Sequence, residues 1–356
     1  MVSPKDDVRF QLSADLFPMV YRDVETGVYV AELAAPPPGE ASRHAQMLVD
    51  CNALDAIAMT DLRLVQRMAY WSQPGTVMTL NPGFAFAEQI LSNAENTSAK
   101  IKGWEEKLAP SGLFPQGYAS NFYPFLQKQE RAIREQVGII FCYLALFEHW
   151  STEFRKNDQA LQCWIDLFNE DIPRLKVLYL LGGLFIISLA DEALRLRGAK
   201  ESVAAWRQAI CDDRAKEKDD YPRRLRNRAM DILYFMLSPT LTFTTAGGYK
   251  SRIMLATEDR FLGEFLCRIF HWVHTPENGL WGLRMCSEQF ESKRGNASIE
   301  SIKTLVNKEP EARKYKDIPG EREAKLRRLA RLTLQTLPAD RRTELQEALD
   351  TFHYPK

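Results

Sequence analysis

Short apolar segments alternate with helix-forming ones near both ends of this chain, and that alternation most limits the folds it can adopt. Residues 47–50 (MLVD) and 77–80 (VMTL) are predicted strands, and a helical stretch follows each of them. A third strand is predicted at residues 251–256 (SRIMLA), again before a helical stretch. Because a helix returns the chain to the same end of a sheet, such alternation builds parallel sheets. The sequence therefore predicts an α/β fold with a central parallel sheet.

The stretch between the second and third strands is long and helical, so we expect a large all-helical insertion in the α/β domain. Ahead of the domain, strands are predicted at residues 8–12 and 28–34, before a proline-rich linker. The predicted segments are a β-rich N-terminal extension at 1–40, the first part of the α/β domain at 41–95, the helical insertion at 96–226, the second part of the domain at 227–290, and a charged helical C-terminal region at 291–356.

Two apolar runs, at residues 137–147 and 177–190, bear on whether the chain enters a membrane. Both are shorter than the about 20 residues that a helix needs to cross a bilayer. Charged residues flank each run. We expect two buried core helices that pack on each other, with Gly182 and Gly183 allowing close approach, and no membrane partner.

Charge and cysteine content exclude several classes of protein. The 356 residues include 47 Lys and Arg and 47 Asp and Glu, and this balance argues against a polycation that wraps nucleic acid. The six cysteines are far apart and form no CxxC pair, which argues against a zinc finger or a disulfide scaffold. They suit a reducing compartment, and no signal peptide is evident, so we expect a cytoplasmic protein.

Acidic residues close two of the predicted strands. Asp50 follows the first strand, and Asp259 follows the third. Ligands bind at the carboxyl ends of parallel strands, so neighbouring strands would bring these two carboxylates together. Clustered carboxylates repel one another unless a cation neutralises them, and oxygen ligands select hard ions such as Mg²⁺ or Mn²⁺. The alternative is that each Asp only caps the helix that follows it.

Four motifs place these acids in a longer pattern. MLVDCN at 47–52 is a strand followed by Asp-x-Asn, and TLNPGFAFAE at 79–88 is a strand, a proline turn and a helix bearing Glu88. NRAMD at 227–231 has an Asp near a helix start, and IMLATED at 253–259 is a strand closed by Thr-x-Asp. In their order and context, the four resemble the motifs of PIN-domain nucleases.

This resemblance, which covers about residues 43–95 and 226–275, implies a PIN-like α/β/α domain and a metal-dependent nuclease. Its substrate would be RNA, with DNA as the alternative, and a metal-activated water would hydrolyse the phosphodiester bond. Asn52 and Thr257 would orient the first and fourth acids or contact the phosphate. The acids that would hold Mg²⁺ or Mn²⁺ are Asp50, Glu88, Asp231 and Asp259.

The third acid is the least constrained of the four, because far more residues separate Glu88 from Asp231 than the family usually has. Asp191, Asp219 and Asp220 are alternatives for its role. Glu88 could instead be a solvated helix residue, and Asp231 could pair with a nearby arginine.

Other residues have weaker claims to a functional role. Arg224, Arg226 and Arg228 precede Asp231 and could attract a phosphate backbone, or they could belong to an ordinary solvated helix. Aromatic residues within 118–125 could stack on bases, but core packing is the better expectation. His271 and His274 have helical spacing and are expected to be a structural pair. The alternative to a nuclease is a non-catalytic helical scaffold that binds a protein partner through the insertion or the C-terminal region.

Overall fold

Each of the two units of the structure combines stretches that lie far apart in sequence. The computed structural model describes residues 20–34, 44–59, 63, 77–92, 96–109, 112, 117–154, 157–211, 221–238, 252–275, 280–286, 290–291, 293–307 and 320–351. The first unit is Met1–Glu130 with Tyr234–Cys286, and the second is Arg131–Leu233 with Ser287–Lys356.

A five-stranded sheet organises the first unit. In the order β1-β2-β5-β3-β4, the central strand β5 runs parallel to β3, and β3 runs parallel to β4. All six residues of β5 are buried, as expected for a strand covered on both faces. The strands are β1 (Val20–Arg22), β2 (Tyr29–Ala34), β3 (His44–Val49), β4 (Val77–Asn81) and β5 (Arg252–Thr257).

The sheet is mixed, so the expected central parallel sheet is confirmed for β5, β3 and β4 but not for β1 and β2. Strand β2 runs antiparallel to β5, and β1 runs antiparallel to β2. A tight turn joins β1 to β2, in which Gly27 has a φ of 79° and its N–H donates to the Asp23 carbonyl at 2.7 Å. Because this hairpin pairs with β5, it covers an edge that parallel pairing alone would leave open. The strand predicted at 8–12 lies outside the described residues.

Helices flank the strands of the first unit. The helix predicted after β3 is α1 (Cys51–Met59), and residues 60–62 and 64–72 of that prediction lie outside the described residues. After β4 come α2 (Gly83–Ser92), α3 (Thr97–Leu108) and the beginning of α4 (Tyr118–Glu153). After β5 the chain forms a π-helix (Phe261–Leu266) and one further turn (Cys267–Ile269).

A hairpin that the sequence did not predict completes the first unit. Its strands are β6 (Phe270–Thr275) and β7 (Leu280–Met285), which pair antiparallel. The Trp272 indole N–H donates to the Phe235 carbonyl at 3.1 Å, and the two rings stack with centroids 5.8 Å apart. This packing, together with the strand preference of the aromatic and β-branched residues, ends the helical segment at Ile269.

The second unit is built mainly of helices around the two apolar runs. Residues 137–147 are buried, and a Cβ added at Gly182 would lie 2.4 Å from Phe147, so the two apolar helices pack closely there, as expected. The same role was wrong for Gly183, where an added Cβ would lie 2.7 Å from Ile302. No helix in the described part of the chain is both long and apolar enough to cross a membrane. Besides most of α4 and most of α8 (Tyr221–Leu237), the helices are α5 (Asn157–Asn169), α6 (Lys176–Ala190), α7 (Val203–Cys211), α9 (Lys293–Asn307), α10 (Glu321–Thr336) and α11 (Ala339–Thr351).

Candidate active site at the carboxyl edge of the sheet

Asp50 lies at the junction between β3 and α1, with its side chain only 6% exposed. Its Oδ1 accepts a hydrogen bond from the Ala53 N–H at 2.7 Å, and its carbonyl accepts one from the Leu54 N–H at 3.0 Å. These are the contacts of a helix N-cap. Asp50 therefore caps α1, as the capping alternative expects, but capping does not account for the groups around its second carboxylate oxygen.

The second carboxylate oxygen of Asp50 connects β3 to β5. The Thr257 hydroxyl donates to Oδ2 of Asp50, and the Asp259 N–H donates to that hydroxyl oxygen at 3.0 Å. Asp259 also caps the following helix, because its Oδ1 accepts from the Leu262 N–H at 2.8 Å. The carboxyl ends of two adjacent parallel strands thus place a short hydrogen-bonded chain between the first and fourth predicted acids.

Glu88 lies in the same unit, on α2. The Tyr234 hydroxyl donates to its Oε2 at 3.2 Å, and the Tyr234 ring stacks on Phe84 with centroids 4.6 Å apart. The Cys51 thiol, beside Asp50, donates to the Ala85 carbonyl at 3.3 Å and accepts from Gln89 Nε2 at 3.2 Å, both on the helix that carries Glu88. Sequence reasoning assigned Tyr234 only to the apolar face of a helix, so its role beside an acid was missed.

Mutual repulsion and burial govern the charge on this edge. The pKa of Asp50 is raised from 3.8 to about 7, mainly by burial and also by the charges of Glu88 and Asp259, while the hydrogen bonds from Thr257 and Ala53 act to lower it. Burial, with the charge of Glu88, also raises the pKa of the Cys51 thiol. Asp50 therefore binds a proton near neutral pH. A metal cation in place of that proton would neutralise the same negative charge.

Asn81 adds a polar group at the end of the third parallel strand. Its Oδ1 accepts from the Gly83 N–H at 3.0 Å, and its Nδ2 donates to the Gln46 Oε1 at 3.2 Å. The residue pairs in register with Leu48, two positions before Asp50. The Asn-Pro-Gly sequence indicated only a strand end, so this residue too was missed.

Four of the remaining predicted residues lie on α8, and one lies on α1. Asn52 is exposed on the first turn of α1. In the second unit, Asp231 accepts from Arg228 Nη1 at 3.2 Å, and Arg224 Nη2 lies 3.7 Å from the buried Glu148. Arg226 is half-buried.

The alternatives for the third acid and the histidine pair can also be located in part. Asp191 directly follows α6, whereas Asp219 and Asp220 lie outside the described residues. His271 and His274 lie on strand β6, so the helical spacing predicted for them was wrong. His271 is buried, with its Nδ1 3.0 Å from Cys286 Sγ.

Metal-ligating groups are not preassembled in the described ranges. Among those residues, no three His, Cys, Asp or Glu side chains are grouped so that they could hold a metal ion. The three acids of the first unit instead influence one another through their charges, with Asp50 as the common partner. Any ion at this edge would depend on fewer protein ligands, with oxygens from water or substrate.

The comparisons with known proteins add no relative. No protein-family model matches the chain, and no curated protein or solved structure is significantly similar to it. The case for a function therefore depends on the residues at the carboxyl edge.

Proposed function

We propose that the protein is a Mg²⁺- or Mn²⁺-dependent phosphodiesterase that cleaves RNA. The observation that carries this proposal is the hydrogen-bonded chain from Asp50 through Thr257 to Asp259 at the carboxyl ends of β3 and β5, with Glu88 near enough for its charge to act on Asp50. In an open α/β sheet this edge is where ligands bind. The carboxylate oxygens found here are the ligands that hard divalent cations prefer.

The electrostatics favour a cation over a purely structural role for Asp50. No cation pairs with Asp50 within the described part of the chain, although its carboxylate is buried beside two other acids. Burying such a charge is costly unless it is protonated or paired. A divalent ion would stabilise the ionised form and lower its pKa, so binding would release a proton.

The absence of a preassembled group of three ligands among the described residues is compatible with Mg²⁺. This ion keeps several waters and is commonly bound by one or two carboxylates together with substrate phosphates. Asp50 and Asp259 are the proposed ligands, with Glu88 third. When bound, the ion would supply a nucleophilic water at neutral pH and stabilise charge on the phosphate.

The chain's own residues would orient this site. Thr257 donates to Asp50 and so helps to fix the orientation of that carboxylate. Tyr234 holds Glu88 in the same way. From the resemblance alone, Asp231 remains the proposed fourth acid, Asn52 a phosphate contact, and the substrate-binding arginines Arg224, Arg226 and Arg228.

Asparagine variants test the proposal, because Asn caps a helix nearly as well as Asp but lacks the negative charge. Wild-type chain with Mn²⁺ should cleave fluorescent single-stranded RNA, and Asp50→Asn or Asp259→Asn should lower the rate more than about 100-fold. Asp166→Asn, an exposed acid on α5 in the second unit, is the matched control and should keep full activity. Wild type that cuts neither RNA nor DNA, or variants as active as wild type, would overturn the proposal.

A non-catalytic scaffold is the second candidate, and the capping contacts favour it. If Asp50 and Asp259 serve only as N-caps, their Asn variants should retain both stability and all partner binding. The helix-rich second unit would then be the surface for a protein partner, through the insertion or the C-terminal region. Metal-dependent cleavage that these two substitutions abolish would exclude this candidate.

A further inference from the structure

An exposed aromatic ring lies beside the acidic edge. Phe125, on the first part of α4, is 51% exposed, which is unusual for so large an apolar side chain. Its ring lies against that of Phe122, with centroids 5.7 Å apart at an angle of 34°. Phe122 thus supports one face of Phe125 and leaves the ring accessible.

Phe122 connects this ring to the sheet. A Cβ added at Gly83 would lie 3.2 Å from the Phe122 ring and 3.0 Å from Asn81 Oδ1. Gly83 and Asn81 mark the end of β4, next to the strand that ends at Asp50. The aromatic pair therefore lies at the same edge of the sheet as the acids.

The helix surface around Phe125 suits a nucleotide. Positions three or four residues away lie on the same face of a helix, and here they carry Asn121, Lys128 and Gln129, all exposed, together with Phe122. Two amides can hydrogen-bond to bases or sugars, and a lysine can contact phosphate. None of these four positions is acidic, so none repels a phosphate backbone.

We propose that Phe125 is a stacking platform for an unpaired base of single-stranded RNA, with Lys128 contacting the adjacent phosphate. This inference rests on the proposed function and names its substrate class as unpaired RNA. Stacking on an aromatic ring needs a base whose face is free, which a duplex does not offer. A base stacked on Phe125 would bring the adjacent RNA backbone to the edge of the sheet that carries the acids.

Binding of a fluorescein-labelled ten-nucleotide oligouridylate, followed by anisotropy in EDTA so that no cleavage occurs, tests the platform. Wild-type full chain should bind it more tightly than the same strand paired with oligoadenylate. Phe125→Ala should weaken binding about tenfold, and Phe125→Trp should restore it. Lys128→Ala should weaken binding and reduce the salt dependence of log Kd by about one phosphate contact. Met59→Ala, which truncates another exposed apolar side chain of this unit, should bind like wild type.

Three results would overturn the platform: no binding by wild type, Phe125→Ala binding as tightly as wild type, or a change of oligomeric state in Phe125→Ala that marks a protein interface. Metal-dependent hydrolysis of bis(p-nitrophenyl) phosphate, which has no base, separates this failure from failure of the proposed function. Activity on that ester that is lost in Asp50→Asn but kept in Phe125→Ala supports the catalytic site whatever the RNA result. RNA binding through Phe125 without any metal-dependent hydrolysis supports the platform and refutes the nuclease.

Discussion

A buried carboxylate lies at each end of strand β5, and among the described residues the two differ in whether a cationic side chain balances their charge. At its amino end, Arg252 donates through Nε and Nη2 to the two carboxylate oxygens of Glu32, at 2.8 and 2.7 Å. Glu32 is 3% exposed and Arg252 is 8% exposed, so the pair is withdrawn from water as a unit. This charge is balanced by the protein itself and ties β2 to β5.

At the carboxyl end of β5, Thr257 supplies only a neutral hydroxyl to Asp50. The neighbouring charges are those of Glu88 and Asp259, which are of the same sign. The pairing of Glu32 with Arg252 shows that this fold places a cationic side chain beside a buried acid where the structure requires one. Under the proposed function, the paired acid at the amino end contributes to stability, and Asp50 at the carboxyl end binds the metal ion.

Removing the Arg252 side chain at the amino end of β5 should have the largest effect on stability. Arg252→Ala leaves Glu32 buried without its partner, and we expect the free energy of unfolding to fall by about 3–5 kcal/mol in urea titrations at pH 7. The double variant Glu32→Leu with Arg252→Met removes both charges and should recover most of that loss.

The exposed ion pair between Arg327 and Glu323 on α10 provides the control for this comparison. Arg327→Ala should change the free energy of unfolding by at most about 1 kcal/mol, because exposed pairs are screened by water. An Arg252→Ala variant no less stable than Arg327→Ala would contradict a structural role for the amino end.

Adding a divalent cation at the carboxyl end of β5 should have the next largest effect on stability. If Mn²⁺ binds the folded chain only, a concentration 100 times its Kd adds about 2.7 kcal/mol of stability, seen as a rise in Tm. The Asp50→Asn, Asp259→Asn double variant should show no such rise. An equal rise in wild type and double variant would place the ion elsewhere.

The pH dependence of stability should separate Asp50 from ordinary acids. Its pKa is about 7 when folded and 3.8 ordinarily, so between these values the folded chain keeps a proton that the unfolded chain has released. Stability from this group is therefore greatest at low pH and falls by about 1.4 kcal/mol for each pH unit across that window. The side-chain amide of the Asp50→Asn variant cannot titrate, so the stability of wild type relative to this variant should fall as pH rises from 4 to 7. A constant difference would contradict the raised pKa.

The sequence predicted the part of this edge that local patterns determine. Apolar runs ending in Asp50 and Thr257 identified β3 and β5, and parallel strands place their carboxyl ends at one edge whatever lies between them. The strand at 28–34 was predicted, but as part of an N-terminal extension, because a local pattern marks a strand without giving the strand it pairs with or its direction.

Tertiary contacts determine what the sequence did not predict. The β6–β7 hairpin depends on packing of Trp272 against Phe235, and no local pattern indicates such a contact. Likewise, Tyr234 has the spacing of any apolar helix residue, and only the folded chain brings its hydroxyl to Glu88. For Phe125 the sequence predicted core packing, but the folded chain leaves its ring exposed.

Tyr234 offers the finest test, since its hydroxyl can be removed while its ring stays on Phe84. Tyr234→Phe should lower kcat for RNA cleavage about tenfold with KM unchanged, because Glu88 loses the group that orients it. The free energy of unfolding should fall by only about 0.5–1.5 kcal/mol.

Tyr143→Phe is the matched control, because the Tyr143 hydroxyl donates to the Pro173 carbonyl at 2.7 Å within the second unit. It should cost similar stability and leave kcat unchanged. Equal losses of kcat in both variants would mean that Tyr234 acts through general stability, and that Glu88 needs no orientation from it.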